Sequence, residues 1–136
     1  MTSMFASFSA SRSGMGAYKL WIDAVSDNIA NMDNITTTDE PAFQERYVVV
    51  QAADGAAEGT GVRVTGTLFG DPNGVIAYEP NHPLADEEGM IRRPDINLSD
   101  QMVFLQVAQR GYQANIRTFE RAREAYEAAL SIGTSR

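Results

Sequence analysis

The sequence predicts an α+β protein that is mainly α: long N- and C-terminal helices packed as an antiparallel coiled coil, with a small, irregular β-rich insertion between them. Three observations lead there. Both ends of the chain carry apolar residues at alternating steps of four and three, the signature of helices that lay one stripe against a partner. The stretch between them drops that rhythm and takes up β-branched runs and turn residues. Charge is also unevenly placed, with eleven acidic residues against four arginines from Thr36 to Asn97 and seven against seven in the two ends. The expected division is a discontinuous helical domain, 1–35 with 98–136, and a β-rich domain over 36–97.

In the N-terminal segment the stripe runs Met4, Phe8, Ser11, Met15, Tyr18, Ile22, Val25, Ile29 and Met32, with only Ser11 polar. Phe5, Leu20 and Trp21 lie off it and form a second apolar set. Gly14 and Gly16 are poor helix formers, so a break or a late start is expected there. The rhythm stops at Asn31 to Asn34, and Thr36 to Pro41 reads as a turn-rich exit.

The middle then offers short strands. Phe43 to Ala52 holds the run Tyr47-Val48-Val49-Val50. A Gly/Ala loop follows from Asp54 to Gly61, and the alternation of Val62-Arg63-Val64-Thr65 reads as a half-buried strand continuing towards Phe69. Asp71-Pro72-Asn73-Gly74 is a turn signal, Val75 to Tyr78 a third strand, and Met90 to Arg93 a fourth candidate among Pro80, Pro83 and Pro94.

The C-terminal stripe is Leu98, Met102, Leu105, Gln109, Tyr112, Ile116, Phe119, Arg123, Tyr126 and Leu130. Ser99 with Asp100 is the expected N-cap and first-turn carboxylate, and Gly133 the expected stop. At 1.5 Å per residue this helix would be roughly 50 Å long, too long for the core of so small a protein, and the N-terminal segment supplies a partner of matching length. A second face (Phe104, Val107, Gly111, Ala114, Ala125, Ala128 and Ile132) is small or apolar. A two-helix pair covers one stripe per helix and not two. The surplus faces imply further protein partners and ends that order on assembly.

With 136 residues and 43% hydrophobic content the chain has room for one domain's worth of core. The absence of cysteine excludes disulfides and thiolate metal sites. The net charge of -7 without a basic stripe argues against nucleic acid. No apolar run suffices to span a bilayer, and a cleavable signal is not expected. His82 is the sole histidine and lacks a second nitrogen ligand or a nucleophile beside it, so neither a metal centre nor catalysis is expected. Gly59-Thr60-Gly61 has no Lys-Ser/Thr after it, and Lys19 is the single lysine, which speaks against a phosphate loop. No cofactor or small-molecule substrate is implied. Glu120, Glu124 and Glu127 with Arg117, Arg121 and Arg123 read as helix-surface pairs. The asparagines carry more: Asn28, Asn31 and Asn115 are poor helix-interior residues. They either face water and end a helix or hydrogen-bond between helices and fix register.

Those asparagines also carry a family resemblance. Ser26-Asp27-Asn28-Ile29-Ala30-Asn31 resembles the N-terminal signature of bacterial flagellar rod and hook proteins, and Gln109-Arg110-Gly111-Tyr112-Gln113-Ala114-Asn115 their C-terminal one. Tyr78 to Gly89, with Pro80, His82, Pro83 and Asp86, is similar to a segment of the FlgC family of rod proteins. The chain departs from the family at Gln44-Glu45-Arg46, where a basic cluster is usual, and at Gly14 and Gly16.

The resemblance implies a structural subunit of the flagellar basal body, self-assembling through its terminal helices into a helical, torque-transmitting tube across the periplasm. It implies export by the flagellar type III apparatus without a cleaved signal, and no membrane insertion of its own. The implied neighbours are further copies, the proximal rod proteins FlgB and FlgF, FliE and, further along, the distal rod protein FlgG. Met15, Tyr18, Trp21, Ile22, Val25, Asn28, Ile29, Asn31 and Met32 would form packing and assembly surfaces on the first helix. Met102, Leu105, Gln109, Tyr112, Asn115, Ile116, Phe119, Tyr126 and Leu130 would do so on the second. The alternatives are another rod or hook subunit, or a small helical secretion substrate or adaptor pairing with one partner.

Overall fold

The computed structural model describes residues 2–53 and 61–134. Along the chain come helix α1 (Thr2–Asn31), strands β1 (Arg46–Ala52), β2 (Val62–Phe69), β3 (Val75–Tyr78) and β4 (Met90–Arg93), and helix α2 (Leu98–Thr134). β1 pairs with β2 and β3 with β4, giving two separate two-stranded sheets. The predicted class is therefore the observed one. The loop expected from Asp54, with Gly59 and Thr60, lies outside the described residues, as does the Met4 side chain. Among the described residues no helix is long and apolar enough to cross a membrane.

The chain divides into two compact units. In the first (Met1–Leu20, Val49–Gly66 and Val107–Arg136), α1 and α2 run antiparallel. Phe5 meets Tyr126 with ring centroids 6.4 Å apart, and Phe8 meets Phe119 edge-on at 5.1 Å. The Ser13 hydroxyl donates to the Ala10 carbonyl at 2.9 Å and accepts the Val62 N–H at 3.1 Å, which ties the start of β2 to α1. Gly61, at φ +86, passes so close to Ala10 and Ser13 that a side chain there would collide with both.

In the second unit (Trp21–Val48 and Thr67–Gln106) the helices again run antiparallel, with Trp21 against Phe104 at 6.3 Å and Asn28 against Gln101. The β3–β4 ladder runs from Val75↔Arg93 to Tyr78↔Met90, and Thr36 bridges the other edge of β4 at Arg92. Ile91, fully buried, is the unit's apolar centre. The Asp71-Pro72-Asn73-Gly74 turn forms as expected: the Asp71 carboxylate accepts the Asn73 N–H at 2.8 Å and Gly74 takes φ +55.

Three local expectations are corrected. α1 continues through Gly14 and Gly16 without a break. The N-cap of α2 is Asn97 rather than Ser99: its Oδ1 accepts the N–H groups of Ser99 at 2.8 Å and Asp100 at 3.3 Å, while Asp100 keeps its place in the first turn. α2 runs past Gly133, which is not among the glycines with positive φ, so the left-handed stop is not made there.

The seam is rotated by one residue on α2, and on α1 it is broader than the expected stripe. Ser11, Tyr18, Val25, Leu105, Tyr112, Phe119 and Tyr126 are covered as expected, and Met15, Ile22 and Ile116 are half-buried, but Gln109 and Arg123 are exposed. Buried beside the covered residues on α1 are Gly14, Ala17, Ala24 and Asn28; on α2 the alternate positions are Gln101 and Ala108, both buried, with Asn115 and Ala122 half-buried. Small and amide side chains at the closest approach let two backbones come near each other, and larger residues one position away flank the contact. Leu98, Met102, Gln109, Arg123 and Leu130, expected in the seam, are exposed.

Candidate assembly interface

Asn28 is the junction of the second unit. Its Nδ2 donates to Gln101 Oε1 on α2 at 3.0 Å and to the Arg46 carbonyl on β1 at 3.1 Å. Its Oδ1 accepts the Arg46 N–H at 2.9 Å, so the amide pairs with a backbone peptide group as a strand neighbour would. Asn28 and Gln101 are each 1% exposed, and a polar group so buried is costly unless partnered. Gln101 passes the network on, donating from Nε2 to Glu45 Oε1 at 2.6 Å. Glu45 also accepts from the Tyr47 hydroxyl. That bond, reinforced by burial and by the charges of Glu45 and Asp95, pushes the Tyr47 phenol up to about 12. On the rim, Arg46 pairs with Asp27 at 2.5 Å in an exposed ion pair that adds little. Asn28 thus takes the between-helix role, while the Asn31 side chain donates to the Asp27 carbonyl of its own helix at 2.8 Å.

In the first unit Asn115 also bonds within its helix, from Nδ2 to the Gly111 carbonyl at 3.0 Å. Its side chain nonetheless lies on α1: a Cβ on Gly14 would stand 2.7 Å from Asn115 Oδ1. Gly111 is the reciprocal case, since a Cβ there would enter the Tyr18 ring. Gly111 therefore belongs to the inner seam and not to the outer face where spacing put it. The C-terminal signature residues Gly111, Tyr112 and Asn115 are all at least partly covered, and Gln109 and Arg110 point outward.

The loop from Tyr78 to Gly89 organises itself. Asp86 Oδ1 accepts the N–H groups of Met90 at 2.8 Å and Glu88 at 3.0 Å, and Oδ2 accepts the Thr38 hydroxyl at 2.9 Å. These bonds, the one from Met90 foremost, hold the Asp86 carboxyl below its ordinary value. Gly89 takes φ +78 with Tyr78 and Pro80 packed where its side chain would be. His82 Nδ1 accepts the Leu84 N–H at 3.1 Å, and Pro83 is exposed beside it. The motif residues are thereby occupied in shaping a turn.

The faces left bare are apolar. On α2, Leu98, Met102, Val103, Val107, Leu130 and Ile132 are exposed, the last by 74%, and on α1 so are Phe5 and Leu20. Met15, Ile22, Ile29, Met32 and Ile116 are half-buried at the edges of the seam. This much aliphatic surface exposed on helices that already pack together is contact surface for other proteins.

The model of the family "Flagellar basal body rod FlgEFG protein C-terminal" matches residues 87–132. The chain is 31% identical to the flagellar basal-body rod protein FlgC of Escherichia coli O6:H1 over 128 residues, covering 93% of this chain and 95% of the relative. It is 30% identical to the protein of that name in Aquifex aeolicus, with the same coverage. To that of Bacillus subtilis it is 26% identical, covering 95% and 97%. Bare apolar helix faces, both terminal signatures and similarity over 93% of the chain agree: the chain belongs to the FlgC family of flagellar basal-body rod proteins, structural subunits of the basal-body rod.

Proposed function

We propose that the chain is built into the proximal rod, with the helical domain (1–35 and 98–136) in the inner wall of a helical tube and the 36–97 lobe outside. The supporting observation is the aliphatic surface that remains on α1 and α2 after each has packed on the other. Its cover comes from neighbouring subunits, both further copies and other rod proteins; FlgB, FlgF, FliE and FlgG are the proposed neighbours. Many interlocked helix contacts resist shear, so torque passes through the wall without any bond being made or broken, and the chain carries no catalytic role. It reaches the growing tip through the flagellar type III export apparatus without a cleaved signal, and the terminal helices gain their full order there.

Amide exchange tests this reading. In the purified monomer protection should concentrate in the central lobe, and in isolated basal bodies it should extend along α1 and α2. Strong protection along both helices in the monomer, unchanged on assembly, would contradict it.

A further inference from the structure

Charge divides sharply between the two units. Among the described residues the first unit has seven basic residues against three acidic, and the second has three against thirteen. The exposed apolar faces do not account for this partition.

Within the second unit lies a cleft of about 300 Å³ between the end of α1, β3 and the segment leading into α2. Met32, Ile35, Val75 and Ile96 line it, all half-buried. Its rim carries the exposed carboxylates Asp33, Glu79 and Asp95, against one cation, Arg93. It has room for one long side chain and a small neighbour, not for a whole helix.

The matching surface is on the first unit. Arg110, Ala114, Arg117 and Arg121 follow steps of four, three and four on α2, and all are exposed. At 100° per residue they lie about 100–160° around the helix from Asn115, on the side away from the Ala108–Asn115–Ala122 seam, and α1 leaves them exposed. The alanine gives close approach, and the arginines combine aliphatic stems with charged heads that suit an apolar floor and a carboxylate rim.

We propose that the cleft of one copy receives Arg117, with Arg121 reaching its acidic rim, from α2 of a second copy. The inference rests on the rod reading above and specifies one of its contacts. Because the two surfaces differ, each copy that joins leaves one of each free. The contact is heterologous and open-ended, as a growing tube requires, and the opposed charges select its register.

The chain has no cysteine, so a paired substitution reports one contact cleanly. In the source bacterium, with its own copy deleted, the full chain carrying Asp95→Cys and Arg117→Cys is expected to give a ladder of disulfide-linked oligomers in oxidised basal bodies, which either substitution alone does not give. Charge reversal supplies the second readout. Asp95→Lys or Arg117→Glu should each lower the amount of subunit in basal bodies about tenfold, and the two together should restore it, since every copy then carries both reversed partners. Cysteine-paired subunits present in basal bodies but without a ladder overturn this contact alone. So do single reversals that incorporate like the wild type. Absence of the unsubstituted chain from basal bodies overturns the rod reading and this contact with it.

Discussion

Asn28 and Gln101 meet amide to amide at 3.0 Å, both 1% exposed, and through the same Asn28 side chain α1 also holds the Arg46 peptide group of β1. One residue therefore fixes helix to helix and helix to strand. Asn28→Ala strands the Gln101 carbonyl oxygen and both polar groups of the Arg46 backbone. The expected loss is about 2–4 kcal/mol in urea unfolding. Asn31→Ala removes a bond within its own helix and should cost less than about 1 kcal/mol. Equal losses at the two positions would deny Asn28 its special role.

Three helix glycines should respond with different signs. Gly16 has open space where a Cβ would go, and Gly16→Ala should stabilise by about 0.5–1 kcal/mol through helix propensity. Gly14→Ala presses on Asn115 and Gly111→Ala on the Tyr18 ring. Each is expected to destabilise by about 1–3 kcal/mol despite the same gain in propensity. Thermal unfolding of the three variants side by side decides it.

Strand positions and the Asp71–Gly74 turn were legible because β-branched runs and turn residues announce themselves locally. The packing seam was legible only to within one residue. Periodicity counts large apolar side chains, whereas the closest approach is made by Gly14, Ala108, Asn115 and Gln101, which hydropathy does not weigh. Gly111 looked like an outer-face residue for the same reason, and only the Tyr18 ring in three dimensions shows otherwise. Asn28 did leave a signal, an amide in mid-helix, but its partners Arg46 and Gln101 are 18 and 73 residues away in sequence. Ser99 stands nearer the apolar run and so reads as the cap from spacing alone; the N–H groups of Ser99 and Asp100, both donated to Asn97 Oδ1, give the role to Asn97.

Asp86 ties the geometry of the Tyr78 to Gly89 loop to pH. Its carboxyl is held below the ordinary value of 3.8 by the Met90 N–H first and by Thr38, Glu88 and Gly89 after it. A carboxyl lowered in the fold contributes stability that is present above its unfolded value and lost as pH falls through the lowered one. Protection of the Met90 and Glu88 amides should therefore persist at neutral pH and fade below about pH 4. Asp86→Ala should remove that acid dependence.

Tyr47 gives the opposite sign at the alkaline end. With its phenol raised to about 12 by Glu45, the contribution of this pair is complete below pH 10 and disappears as pH rises through 12. Absorbance titration should show the Tyr47 phenol ionising late. Glu45→Gln is expected to bring it back towards about 10 while weakening the Gln101 link measured by unfolding.

Electron cryo-microscopy of basal bodies from the source bacterium tests the central claim most directly. The account predicts α1 and α2 in the inner wall of the rod, with Leu98, Met102, Val103 and Val107 covered by adjoining subunits. A rod in which those side chains face solvent, or in which the β strands line the channel and the helices stand outside, would contradict it.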